Sequence, residues 1–367
     1  MWKETKVVKN VEYYNYDARY GAYATNESDG SSVIYIAGKE FHTRKATRVR
    51  SYEGKVVIQT RGESSSNDAM LYTKEGELLN IVNDTIPITS DTNPHYLNNC
   101  KRVGLTRYFN LVDIETGRVI FKEGILERCP VVFNDMIFSN RDNVITRYDW
   151  DGSILWQHNY EPDFNVTIDL GFVLEGVCGG KLWVKSKHDR HEILLAIDVN
   201  TGELIKAFSD SEEDTNLPHC NLGKIYGFYI NVENDHILVL SCDEDYNLFM
   251  NFVNAKTLEV FEKTDYAIDY DYDNGKEDSL GGITGFQSDY ITFWLERYHI
   301  DSMPSGFVVY NYNKKEVVFA HRLFTPEQTK KGRYLWGNTT RIPFYNNGLI
   351  YVHDNCDTLH IFEDVKE

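Results

Sequence analysis

One short unit recurs along this chain and limits what it can fold into: a strand, a tight polar turn, and a second strand. Its clearest copy is Asn110-Leu-Val-Asp113-Ile-Glu-Thr116-Gly117-Arg-Val-Ile-Phe121. It returns at Thr146–Trp156 and Leu195–Ile205, and earlier at Val33–Phe41 and Met70–Leu79. Degenerate copies lie at Asn251–Phe261 and Val309–Phe319. Asp and Asn bond their own backbone and start turns, and Gly accepts the positive φ of a tight reversal. The flanks alternate β-branched or aromatic residues with polar ones, as half-buried strands do. A long helical period is nowhere present. The one helix-like stretch, Thr325-Pro-Glu-Gln-Thr-Lys-Lys, is a turn or two at most.

The turns centre on Gly38, Gly76, Gly117, Gly152, Gly202, Thr257 and Lys315. Each interval leaves room for two further strands. Asn165–Leu174 and Gly180–Ser186 precede the Gly202 hairpin, and Ile225–Ile230 and His236–Cys242 precede the Thr257 hairpin. Four strands repeating at about 40 residues, with insertions, predict the blades of a β-propeller. The chain ends on two strands, Gly348–His353 and Thr358–Glu363, while Glu4–Asn10 offers an unused one at the start. Val7 and Val8 are expected to pair with the strand holding His360 and Phe362, which closes the ring and covers exposed edges. The expectation is therefore an all-β fold: one propeller domain over residues 1–367, with eight four-stranded blades. Seven is the alternative, because residues 11–32 parse poorly into two strands.

The Asp-x-x-Thr-Gly-x-x-hydrophobic-aromatic hairpin at Asp113–Phe121, with its relative at Asp149–Trp156, resembles the repeat of quinoprotein (PQQ-type) β-propellers. Outer-membrane assembly lipoproteins of similar fold share it. The resemblance implies architecture. Enzymes of that group use a vicinal cysteine pair or a metal-side Glu/Asn/Asp set. Adjacent cysteines are absent here, so no catalytic residue and no cofactor are carried over.

Charge narrows the function classes. Lys plus Arg number 38 against 56 Asp plus Glu, a net charge of −18. Such a surface repels phosphate and anionic lipid and attracts basic partners. Nucleic acid and membrane are thus not expected partners. No apolar run approaches the roughly 20 residues of a membrane span, and Met1–Lys6 lacks the apolar core of a secretory signal. The six cysteines, Cys100, Cys129, Cys178, Cys220, Cys242 and Cys356, are far apart without C-x-x-C. That predicts reduced, mostly buried thiols in a cytoplasmic protein.

In a propeller, loops from an outer strand to the next inner strand share a face with loops between second and third strands. The unusual segments here fall into those two classes. Outer-to-inner loops are Ser209–Asp214, Asp265–Asp278 and Thr325–Trp336, and second-to-third loops are Lys187–His191, Asp243–Tyr246 and Arg297–Asp301. Candidate partner-binding residues are Asp243, Glu244, Asp245, Tyr246, Asp269, Tyr270, Asp271, Tyr272, Asp273, Arg297, His299, Arg333 and Trp336. Tyr beside carboxylate suits a surface that receives Arg or Lys. Asp269-x-Asp271-x-Asp273 fails the EF-hand pattern, since Asn274 stands at position six and Leu280 at position twelve. His188 and His191 with Asp189 and Glu192 read as a charged turn rather than a metal site. No P-loop, G-x-S-x-G or G-x-G-x-x-G occurs.

These readings converge on a non-enzymatic, protein-binding propeller whose acidic, Tyr-rich rim takes a basic protein, as an immunity or inhibitor protein masking a cationic effector would. The alternative is a propeller enzyme acting on a carbohydrate or small molecule in a central pocket, since two carboxylates at a working separation need no local motif.

Overall fold

The computed structural model describes residues 2–12, 14–17, 21–61, 67–88, 93–103, 106–121, 129–141, 143–161, 170–188, 191–210, 218–266, 278–297, 301–335, 344–346 and 348–365. Strand accounts for 67% and helix for 2%, where about a quarter helix would have defeated the all-β expectation. The strands take a propeller-type arrangement. The chain divides into two compact units, Met1–Pro87 with Ile268–Glu367, and Ile88–Ala267.

The repeated turn works as its residue types require. Asp113 Oδ1 accepts the backbone N–H groups of Glu115 and Thr116 at 2.8 and 3.0 Å. Asp198 does the same for Asn200 and Thr201, and Asn254 for Lys256 and Thr257. The Thr hydroxyls of Thr116 and Thr201 then accept the N–H two residues on. The turn aspartates are therefore structural: one oxygen of each is occupied by backbone donors.

The aromatic at the end of the unit also has a reason. Phe41 packs against Gly76, Phe121 against Gly152, and Trp156 against Gly202, so in these three copies the last aromatic seats on the glycine of the next turn. A Cβ at Gly202 (φ +74°) would lie 2.7 Å from the Trp156 ring. Trp156 Nε1 donates to Val199 O at 2.8 Å, and the Tyr160 hydroxyl donates to Gly202 O at 2.5 Å. The motif thus encodes both a turn and its packing against the preceding hairpin.

In the first unit, Tyr16–Asp17, Ala22–Asn26, Ser31–Ile36 and Lys39–Arg44 pair antiparallel in sequence order. Ala46–Tyr52, Lys55–Arg61, Asn67–Thr73 and Leu78–Thr85 follow in the same way. Asp278–Gln287, Tyr290–Arg297, Asp301–Asn311 and Glu316–Arg322 form another sheet. The last sheet runs Phe344–Asn346, Leu349–His353, Leu359–Asp364 and then Trp2–Val8. Its register pairs Val7 with His360 and Val8 with Leu359, the pairing expected of the N-terminal strand. Lys55–Arg61 is buried on both faces, whereas Lys39–Arg44 is mostly exposed, its half-buried residues on alternate positions. In these two runs the inner and middle strands are mostly buried, while the fourth strands, Lys39–Arg44 and Leu78–Thr85, are largely exposed. One core gathers Phe307, Leu335, Ile350, Val352 and Phe362, and another Ile34, Val56 and Ile58.

In the second unit, Tyr96–Val103 pairs with Thr106–Asp113, and Val131–Phe133 through Ile154–Asn159 form a four-stranded sheet. Leu170–Cys178, Lys181–His188, His191–Asp198 and Leu204–Ser209 form the next run, and Lys224–Asn231, His236–Cys242, Leu248–Asn254 and Val260–Asp265 the one after. Cores here centre on Leu182, Leu195 and Ile197, and on Trp183, Phe208 and Val239.

Among the described residues five blades are delimited, where eight or seven were expected. Turn signals count hairpins, and a hairpin is not always a separate blade. Glu192 pairs with Ile225 across two runs and joins them into one sheet. After Thr106–Asp113, the single bridge Val112–Val119 stands where a fourth strand was counted. The cysteine expectation also changes. All six are free thiols, but only Cys178 and Cys242 are buried, and Cys356 is exposed in a turn. The short helix is Pro326–Lys330, capped by Thr325 and Gln328.

Candidate functional site

Of the candidate residues, Asp243–Tyr246 are fully described and lie in the second unit, between His236–Cys242 and Leu248–Asn254. This is a loop between second and third strands, as the hairpin pattern required. Asp243 Oδ1 accepts the N–H groups of Asp245 and Asn247 at 3.0 and 2.9 Å, and Oδ2 accepts Asn247 Nδ2 at 2.9 Å. The Asn247 side chain and then its backbone N–H hold the Asp243 carboxyl below the usual carboxylate range. Asp243 is therefore the anchor of the turn. The outward groups are Glu244, Asp245 and Tyr246.

Tyr246 is the most exposed large hydrophobic among the described residues, at 74%, and its φ of +64° lies in the left-handed region. A bulky residue in that region carries backbone strain. Leu248 and Tyr226 are also exposed, at 38% and 47%. The Cys242 thiol lies 3.6 Å from the Tyr226 hydroxyl, which ties that ring to the base of the loop. This bond, then burial and the neighbouring Cys242 and Tyr246 groups, push the Tyr226 hydroxyl above its ordinary value. Lys224 Nζ sits 5.7 Å from the Tyr226 ring centroid, and Lys263 Nζ 3.9 Å from that of Phe249. Aromatic rings here already accept ammonium groups from the chain itself.

Arg333 lies in the first unit and is held from within. Its guanidinium donates to Asp354 Oδ2 at 2.5 Å and stands 4.9 Å from the Phe324 ring centroid. Asp354 has no exposed side-chain surface. Its Oδ1 also caps a turn, accepting the N–H groups of Cys356 and Thr358 at 2.8 and 3.0 Å. Burial disfavours its charge, but His360, these two N–H groups and Arg333 outweigh burial and hold the carboxyl at about 2. His360 Nε2 is 3.7 Å from Asp354 Oδ2, an ion-pair separation, while Nδ1 is 2.7 Å from Glu4 Oε1. Burial opposes protonation of His360, and Asp354 and Glu4 overcome it and raise its pKa. Beside it, His353 is buried, contacts Val11 O at 2.6 Å, and is pushed down by burial.

Arg297 ends a strand whose backbone pairs with Asp278 and Asp301; its side chain lies outside the described residues. Asp269, Tyr270, Asp271, Tyr272, Asp273, His299 and Trp336 also lie outside them. His188 and His191 face each other across a hairpin backbone. Among the described residues no group of three or more His, Cys, Asp or Glu side chains is placed to hold a metal ion, and no helix is long and apolar enough to cross a membrane.

Sequence reasoning missed the Arg333–Asp354–His360–Glu4 chain. Half of its signal was present, since Asp354 and Thr358 bracket a degenerate copy of the turn. The other half was not, because Glu4 meets His360 across 356 positions.

No family model matches the sequence, and no curated protein does. Among solved structures, a chain of "Crystal Structure of Mitotic Checkpoint Complex" is similar at 10% identity and TM-score 0.44, covering 99% of this chain and 92% of that one. The dihydro-heme d1 dehydrogenase NirN, in complex with DHE, is similar at 12% identity and TM-score 0.43, covering 83% of this chain and 64% of that one.

Proposed function

We propose that this chain is a non-enzymatic, cytoplasmic binding module, one propeller domain of the PQQ-like repeat class, which holds a basic protein on acidic, Tyr-rich loops. The observation that carries the reading is Tyr246: a strained, highly exposed aromatic on a turn braced by Asp243 and flanked by Glu244 and Asp245. A braced turn presents the phenol ring without further backbone ordering, and carboxylates beside it suit Arg and Lys. The net charge of −18 adds long-range attraction. The same chemistry recurs in a second loop, Asp269, Tyr270, Asp271, Tyr272 and Asp273, which with Arg297, His299 and Trp336 is proposed as a partner-binding surface of its own unit; Arg333, also a candidate, is committed to Asp354. An immunity or inhibitor protein covering a cationic effector is one form of this function.

The test uses association kinetics with a captured basic partner. Attraction between surface charges weakens as the Debye length falls from about 10 Å at 0.1 M salt to about 3 Å at 1 M. Replacing Asp269, Asp271 and Asp273 by Asn should slow association and flatten its salt dependence, whereas Tyr246→Ala and Tyr270→Ala should mainly speed dissociation. Equal kinetics for wild type and the triple Asn variant across that salt range would refute the acidic rim and turn attention to a central pocket.

A further inference from the structure

The N-terminal strand, Trp2–Val8, is seated as a ligand would be. Of its seven residues only Val8 is buried, and five are exposed. Backbone pairing to Leu359–Asp364 is interrupted by an irregularity between Glu4 and Lys6. Beside this pairing, a short series of side-chain contacts places the strand. Trp2 stacks on Phe319 with centroids 5.7 Å apart at 24°, and meets Tyr345 edge-on at 6.0 Å. Glu4 meets His360 at 2.7 Å. The Lys6 ammonium donates to the Tyr23 hydroxyl and lies 5.1 and 5.3 Å from the ring centroids of Tyr23 and Tyr35. Those two rings stack on each other at 4.8 Å. A paired aromatic surface that receives an ammonium is a recognition element for a basic side chain. Strand pairing supplies affinity, and pockets for alternate side chains supply selectivity.

From this placement we infer that the seat formed by Leu359–Asp364, Phe319, His360, Tyr23 and Tyr35 is a strand-accepting site. The chain's own Trp2–Val8 fills it, and it takes an extended segment of another protein carrying an aromatic, an acid two residues on, and a Lys two residues further. Such a segment enters by displacing the chain's own strand. The surface differs from the acidic loops, so the inference stands or falls independently of the rim.

The probe is a fluorescent peptide of sequence Trp-Lys-Glu-Thr-Lys-Val-Val added to the full chain. A tethered strand competes at an effective concentration of about 1 mM, so the peptide should bind the unaltered protein weakly. Trp2→Ala with Lys6→Ala in the protein weakens only the resident strand and leaves the seat intact. Peptide affinity should then rise by about tenfold or more. Replacing the peptide's second Lys by norleucine, or its Glu by Gln, should each cut affinity several-fold, as should Tyr35→Leu in the protein. No saturable binding to the folded double variant, or equal binding of a scrambled peptide, would overturn the inference. Hydrogen exchange on the unaltered chain decides the matter if the double variant does not fold. The amides of Trp2–Val8 should exchange well before those of Leu349–His353, and equal protection of the two strands would refute a displaceable strand.

Discussion

Two aspartates cap similar turns in this molecule and end in opposite circumstances. Asp243 accepts three donors from its own hairpin and leaves Glu244, Asp245 and Tyr246 facing water. Asp354 accepts the corresponding backbone N–H groups, but its second oxygen is buried against Arg333 and near His360. One turn projects its neighbours outward. The other fastens a strand, a loop and the first strand's Glu4 into one ion-paired chain. The same local chemistry serves cohesion where the sheets bury it and presentation where they do not, so the turn motif alone does not reveal which residue is functional.

The sharpest way to break this comparison is to remove each carboxylate in turn. Asp354→Ala strips the counter-charge from Arg333 and His360 and should cost about 3 kcal/mol in urea unfolding, because a half-buried cation is left unpaired. Asp243→Ala loosens a turn already in contact with water and should lower the unfolding midpoint far less. A midpoint shift for Asp243→Ala as large as that for Asp354→Ala would erase the distinction. Next in size is Gly202→Ala, which adds a Cβ 2.7 Å from Trp156 in a backbone with φ of +74°. It should cost about 2 kcal/mol by thermal or urea unfolding. An unchanged midpoint would show that the aromatic-on-glycine packing does not join successive hairpins.

Protonation sharpens the same contrast. Asp354 has its carboxyl depressed from 3.8 to about 2. Its contribution, about 2 kcal/mol by linkage, is present above pH 3.8 and is lost as pH falls through 2. His360 moves the other way. With its pKa raised, its contribution is complete below 6.5 and declines as pH rises through the folded value, with Glu4, Asp354 and His321 as the neighbouring charged or titrating groups. His360→Gln should therefore remove part of the alkaline decline in stability, and Asp354→Asn part of the acid decline. Identical pH profiles for wild type and both variants would contradict the ion-paired chain. The smallest expected effect on stability belongs to Tyr246→Ala, which keeps the Cβ and so the backbone strain at its positive φ, and exposes no core. Its melting temperature should match wild type, and a clear loss would mean that Tyr246 packs rather than recognises.

Much of this architecture was legible in residue types. Asp113, Thr116 and Gly117 announce a turn because their chemistry satisfies its backbone, and Phe121 announces an aromatic packed on the next glycine, although only an isolated bridge at Val119 forms where a strand was expected. Blade number was not legible. Whether neighbouring runs hydrogen-bond, as Glu192 and Ile225 do, depends on spacing in three dimensions. For the candidate site, the sequence located the Asp243–Tyr246 loop between the correct strands. It could not foresee that Asp243 is consumed by its own turn, or that Arg333 is claimed by Asp354. It also overlooked the seat of Trp2–Val8, because the local Tyr23–Tyr35 pair, Phe319 and His360 come together around one strand only when the two ends of the chain pair.

The proposed function is tested most directly by recovering the tagged protein from its native host at low and at high salt, beside the Tyr246→Ala variant. The account predicts a basic protein at equal stoichiometry at low salt, depleted near 1 M salt as screening grows, and depleted with the variant. Recovery of a bound sugar or other small molecule, with no protein partner at either salt concentration, would contradict it.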